Sequence, residues 1–131
     1  MGEPDTKSIL VVDDDADIRH SLTEILVDEG YDALTAGNGR EALSMIRANH
    51  LPSLIVLDLT MPIMDGYEFL IEQRRDDALA GIPVVVVTAD IKKRADELGV
   101  AAVIAKPFSV RELLEKIETF IAAPLAVARN H

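Results

Sequence analysis

The sequence predicts an α/β fold, a doubly wound parallel sheet built from five strand–helix units. Three observations carry that reading. Short apolar, β-branched runs recur at 8–12 (SILVV), 53–57 (SLIVL), 82–88 (IPVVVVT) and 101–105 (AAVIA), as expected of parallel strands covered on both faces. Amphipathic helical patterns alternate with these runs, which is the signature of βα repetition. The length of 131 residues, 49% of them hydrophobic, suffices for one domain with a substantial core.

Each element follows in order. The first strand runs straight into Asp13, Asp14 and Asp15, with a fourth acid at Asp17. Asp15 is expected to cap the next helix, whose inner face is Ile18, Leu22, Ile25 and Leu26. Gly30 stops that helix. The run YDALTA (31–36) is polar on alternate residues and suits an edge strand. Ala42, Leu43 and Ile46 mark the second helix, and the third strand delivers Asp58 at its end. Tyr67, Leu70 and Ile71 are read as the inner face of the third helix. The fourth strand ends in Thr88, and a short helix over 91–98 follows on Ile91, Ala95 and Leu98, with Gly99 as its stop. The fifth strand leads to Lys106, and Val110, Leu113, Leu114, Ile117 and Ile121 share one face of the last helix. The reading is a single domain over 1–131, with its core at about 7–122 and a short tail at 124–131.

Composition removes several function classes. The formal net charge of −10 repels a phosphate backbone, so direct nucleic-acid binding is not expected. Cys is absent, which excludes a disulfide scaffold, a thiol nucleophile and a zinc–thiolate site. No apolar run approaches the roughly 18 residues of a membrane span, and a soluble, cytoplasmic protein is expected. His20, His50 and His131 lack metal-ligand spacing. The basic run KKR at 92–94 reads as a solvated helix face.

Doubly wound sheets bind ligands beyond the carboxyl ends of their strands. Asp13 and Asp14, Asp58, Thr88 and Lys106 stand at those ends, far apart in sequence yet directed to one rim. Three carboxylates together form a hard-oxygen site suited to Mg²⁺, which takes few carboxylates and keeps room for water and phosphate oxygens. The hydroxyl and the ammonium then suit a further anionic group beside the metal. Taken singly, each residue has a structural explanation, such as a helix cap or a loop start. Their joint placement at four strand ends favours a site.

ILVVDDDADIR (9–19), LIVLDLTMPIMDGYEFL (54–70), VVVVTA (84–89) and AKPF (105–108) together resemble the receiver domain of two-component response regulators. The resemblance spans about 7–122. It implies a flavodoxin-like sheet with strand order 2-1-3-4-5. It further implies that Asp58 accepts a phosphoryl group from a phosphohistidine on a histidine kinase or histidine phosphotransfer protein. Asp14 matches the direct Mg²⁺ (or Mn²⁺) ligand, Asp13 the acid that reaches the metal through water, and the Thr60 main-chain carbonyl a further ligand. Thr88 matches the hydroxyl that donates to a phosphoryl oxygen, with small Ala89 beside it. Lys106 matches the lysine that pairs with the phosphate, and the Lys106–Pro107 bond is expected to be cis. Pro62 and Gly66 bracket the loop after Asp58, whose helix begins near Asp65. Met61 and Met64 flank that loop.

Two departures bear on the switch. Val103 stands three residues before the lysine, where the family usually has Tyr or Phe, and it is stiff and short. Only 17 residues separate Thr88 from Lys106, about one helical turn fewer than is usual. Both fall on a face that many receivers use for dimerisation or output, and the downstream protein is not identified. A stand-alone receiver is the simpler reading, with a receiver excised from a hybrid histidine kinase or longer regulator as the alternative. Two rivals differ in class. A haloacid dehalogenase-type phosphatase would place a D-x-D-x-[TV] motif after the first strand; Asp13 and Asp15 have that spacing, but Asp17 replaces the last position. A phosphorylation-independent pseudo-receiver would lack site residues that are present here.

Overall fold

A computed structural model of the chain describes residues 7–48, 51–89, 91 and 93–121, and the backbone of 122–128. The strands are β1 (Ser8–Val12), β2 (Asp32–Ala36), β3 (Leu54–Asp58), β4 (Val84–Thr88) and β5 (Ala102–Ala105). The helices are α1 (Ala16–Asp28), α2 (Gly39–Ala48), α3 (Gly66–Arg75), α4 (Ala95–Leu98) and α5 (Val110–Ala128). The sheet order is β2-β1-β3-β4-β5 with every neighbouring pair parallel. The (βα)₅ fold and its 2-1-3-4-5 order are therefore as expected. His50, His131, Lys92 and much of the 124–131 tail lie outside the described residues.

Parallel pairing requires crossovers, and the helices that make them cover both faces of the sheet. Strand side chains alternate between the two faces with period 2. Leu10, Val12, Ile55, Leu57, Val84 and Val86 therefore pack with Leu43 and Ile46 of α2, Phe69 and Leu70 of α3, and Leu98 of α4. Ile9, Val11, Leu54, Val56, Val85 and Val87 pack with Leu22 and Leu26 of α1, and with Leu113, Ile117 and Ile121 of α5. Each fully buried Leu, Ile or Val contributes roughly 1.5–3 kcal/mol. This two-sided core holds the strand ends rigid, and with them the rim.

Local signals act where the sequence places them. The Asp15 side chain accepts from the N–H groups of Asp17 and Ile18 and caps α1. Asp65 and Glu68 form a capping box at the start of α3. Two expected helix faces are corrected. Gly66, Phe69, Leu70 and Gln73 are the buried face of α3, whereas Tyr67 and Ile71 are 40% and 49% exposed. The cause is tertiary: Gly66 is pressed against the Asp58 carbonyl, where an added Cβ would lie 2.6 Å away. That contact fixes the roll of the helix. The fourth helix begins at Ala95 rather than 91, because Arg94 is extended and the Glu97 carboxylate accepts its N–H at 2.8 Å. Ile91 is consequently exposed and lies outside the helix. Val110 at the start of α5 is also exposed, although Leu113, Ile117 and Ile121 below it are buried.

Candidate functional site

Register brings the acids together. Val12 pairs with Leu57 across β1 and β3, so the next residues, Asp13 and Asp58, lie side by side at the carboxyl edge. Asp13 and Asp58 are 1% and 5% exposed, while Asp14 faces solvent. Carboxylate oxygens of Asp13, Asp14 and Asp58 lie within 4.8 Å of one another. Asp13 is firmly held. Its Oδ1 accepts the Asp15 N–H at 2.9 Å, and its own N–H donates to the Ala36 carbonyl at 3.1 Å. Its carbonyl accepts from Arg19 Nη1 at 2.7 Å. Sequence reasoning did not single out Arg19, because a donor to a main-chain carbonyl leaves no spacing signature.

The second half of the rim comes from β4 and β5. Thr88 pairs with Ala105, and the Lys106 N–H donates to the Thr88 carbonyl at 2.8 Å, so the two residues lie next to each other. Thr88 is 2% exposed. The Lys106–Pro107 peptide is cis. Lys106 Nζ donates to Asp13 Oδ2 at 3.0 Å and lies 3.6 Å from Asp58 Oδ2. The lysine thus serves as an internal counter-ion to two buried carboxylates, each of which would be costly if left unpaired.

These contacts set the charge states. Burial pushes the Asp58 carboxyl above the usual carboxylate range. The Thr60 N–H, donating to Asp58 Oδ1 at 3.2 Å, opposes that shift, as does Lys106, while Asp13 and Asp14 add to it. Burial pulls the Lys106 ammonium down, but its hydrogen bond to Asp13 and the fields of Asp13 and Asp58 outweigh burial and leave it raised. The donor set is three carboxylates with oxygens converging on one point, which fits a hard divalent cation. Thr60 contributes its N–H to Asp58.

The loop between Asp58 and α3 is tied at both ends. The Gly66 N–H donates to the Leu59 carbonyl at 3.0 Å, and the Gly39 N–H donates to the Met64 carbonyl at 2.9 Å. Met61 is buried and Met64 half-buried, so both pack. Ala89 follows Thr88 at the surface, and Val103 is half-buried against the core. His20 lies on the outer face of α1, 3.5 Å from Glu24. Lys93 and Arg94 are exposed, and Arg94 pairs with Asp96 at 3.1 Å.

Residues 9–118 match the response regulator receiver domain. The chain is 41% identical over 119 residues to a probable transcriptional regulator ycf27 of Porphyridium aerugineum, covering 88% of this chain and 48% of that protein. It is 36% identical over 119 residues to the phosphate regulon transcriptional regulatory protein PhoB of Pseudomonas aeruginosa, covering 88% and 52%. The chain thus spans about half the length of the curated relatives it matches. Among solved structures it resembles response regulator protein TrrA of Thermotoga maritima, in complex with Mg²⁺ and BeF. That match has 35% identity and a TM-score of 0.78, covering 88% of this chain and 99% of that one.

Proposed function

Because this chain belongs to the response regulator receiver domain family, we propose that it is the phosphoacceptor switch of a two-component phosphorelay, with Asp58 as the acceptor. The observation that carries the reading is the Asp58 carboxylate, buried at the end of β3 between two further acids and the Lys106 ammonium. The donor is a phosphohistidine on a histidine kinase or histidine phosphotransfer protein. An Asp58 oxygen attacks phosphorus, the P–O bond forms as the P–N bond breaks, and the electron pair leaves with the imidazole. Hydrolysis of the resulting acyl phosphate resets the switch, which makes the protein a signalling element rather than a turnover enzyme.

The surrounding residues have assignable parts. Asp13, Asp14, Asp58 and the Thr60 carbonyl would hold Mg²⁺ or Mn²⁺, which when bound neutralises the phosphoryl oxygens. Lys106 exchanges its present carboxylate partners for a phosphoryl oxygen, and the buried Thr88 hydroxyl donates to another. Thr60 N–H holds Asp58 in one rotamer. Arg19 holds the backbone that carries Asp13 and Asp14. Asp15, which a D-x-D phosphatase would direct at the site, instead caps α1, and this favours the receiver reading over the dehalogenase-type one. The unit proposed is one receiver over 1–131, either alone or within a hybrid histidine kinase or longer regulator.

No helix among the described residues is long and apolar enough to cross a membrane. That fits the proposed cytoplasmic setting. The acidic net charge argues that output runs through a protein partner rather than nucleic acid. The test is acetyl phosphate treatment followed by intact-mass spectrometry. One added phosphoryl group is expected, lost in Asp58→Asn and in excess chelator. Uptake at full rate in either case overturns the assignment.

A further inference from the structure

Arg19 stands where a cation is not favoured. It lies in the first turn of α1, whose free N–H groups repel positive charge. Asp13, Asp14, Asp15 and Asp17 are all near in sequence, yet among the described residues its guanidinium pairs with none of them. Half-buried, it instead directs Nη1 to the Asp13 carbonyl at 2.7 Å. On its other side lies the corner between β2 and α2, where a Cβ on Gly37 would stand 3.6 Å from the same nitrogen. A charged donor makes this the stronger kind of hydrogen bond to a carbonyl.

The carbonyl belongs to the peptide that joins Asp13 to Asp14. The next peptide is held through the Asp15 N–H, which donates to Asp13 Oδ1 at 2.9 Å. The preceding one is held through the Asp13 N–H, which donates to the Ala36 carbonyl at 3.1 Å. Asp14 depends on this frame. It is exposed, and among the described residues no donor holds its carboxylate. The direction in which that carboxylate leaves the chain is therefore set by the two peptides that flank it.

We propose that Arg19 is the positioning residue of the cation site. By fixing the Asp13–Asp14 peptide it aims the Asp14 carboxylate at the point where oxygens of Asp13 and Asp58 converge, and so sets the affinity for a divalent cation. The inference rests on the reading of these three acids as the cation's ligands. Charge and orientation predict opposite signs. By charge alone, removing a guanidinium from beside three carboxylates tightens cation binding. By orientation, removing it frees the peptide, the carboxylate must be ordered as the ion arrives, and binding weakens. Orientation dominates, because solvent weakens the field of a half-exposed guanidinium while its hydrogen bond acts on the ligand's geometry directly.

The test is Mg²⁺ titration of the ¹⁵N-labelled full chain at constant ionic strength, with the dissociation constant read from amide shifts. The parent should bind, with shifts at 13–15 and 58–60. Arg19→Met keeps most of the stem without charge or donors and should bind about tenfold more weakly. Its Asp14 amide, which belongs to the freed peptide, should already be shifted in chelator. Arg19→Lys keeps the charge on a stem one bond shorter and should fall between the two. Melting in chelator checks that each variant is folded; if only Arg19→Lys folds, it must bind more weakly than the parent. Equal or tighter binding by Arg19→Met, with or without a lowered melting temperature, overturns the proposal and leaves the cation site standing. Failure of both variants to fold makes the arginine a folding residue and overturns it as well. No binding by the parent overturns the cation site itself.

Discussion

Asp58 is the residue on which charge, burial and chemistry meet, and its environment has a consequence for stability. Burial raises its carboxyl above the ordinary value in the folded state. The sign follows from linkage. A raised folded pKa means that the folded state binds the proton more tightly than the unfolded chain does. The corresponding stability is present below the unfolded carboxylate range and is lost as pH rises through the folded value. In chelator, this one contribution to stability should therefore fall as pH rises from about 4 toward neutrality. Asp58→Asn cannot ionise there, so this part of the fall should disappear, and the variant should melt higher than the parent at pH 7 without metal. A parent and variant with parallel melting profiles across that range would remove the electrostatic account of the site. Lys106 moderates the effect without cancelling it, since it sits closer to Asp13 than to Asp58.

At the scale of elements, Gly66 and the segment around α4 decide the most. An added Cβ at Gly66 meets the Asp58 carbonyl and Leu59 Cα at 2.6 and 2.7 Å, both main-chain atoms that cannot swing away. Gly66→Ala should cost about 1–3 kcal/mol by denaturant melting and slow phosphoryl uptake together, because relief moves the backbone of Asp58. A variant as stable and as reactive as the parent would contradict the packing described. Val103 is half-buried against the core and too short to swing into space beside Thr88. The Mg²⁺–beryllofluoride complex should shift backbone amides over 59–66 and 88–98 strongly and those around Val103 little. Val103→Ala should retain that response at a stability cost of about 1 kcal/mol. Loss of the response in Val103→Ala, with 89–98 unmoved, would place the relay on β5 instead.

These elements also mark how far the sequence could be read. The strands were legible because buried parallel strands demand unbroken β-branched runs, and SILVV, SLIVL and VVVVT have few other uses. That the candidate site residues meet at one rim was legible because they stand at the ends of those runs. The roll of α3 was not, since Tyr67 and Ile71 are apolar and only the approach of Gly66 to β3 turns them outward. The start of α4 was missed by four residues because a carboxylate cap at Glu97 outweighs the apolar spacing of Ile91. Arg19 acts through a main-chain carbonyl, and the turn that holds Ile63 at φ 70 depends on main-chain geometry; neither follows from residue type.

For the whole molecule, a cation held by the acid cluster would make folding and metal binding one equilibrium. Asp13, Asp14 and Asp58 repel one another when no cation is bound, so Mg²⁺ should stabilise the native state. At ten times its dissociation constant the gain is about 1.4 kcal/mol. Asp14→Ala removes an exposed carboxylate that makes no core contact, so it should abolish most of this dependence without unfolding the protein. A melting temperature indifferent to Mg²⁺ in the parent would count against the cluster as a cation site. The central claim is that the phosphoryl group resides on Asp58, and borohydride trapping tests it most directly. Reduction of an acyl phosphate converts the modified aspartate to homoserine, which peptide mass spectrometry locates by position. After acetyl phosphate and Mg²⁺, homoserine at position 58 and at no other acid is the predicted result. Homoserine at position 13 or 14, or none at 58 in a chain that has gained phosphate, would contradict the account.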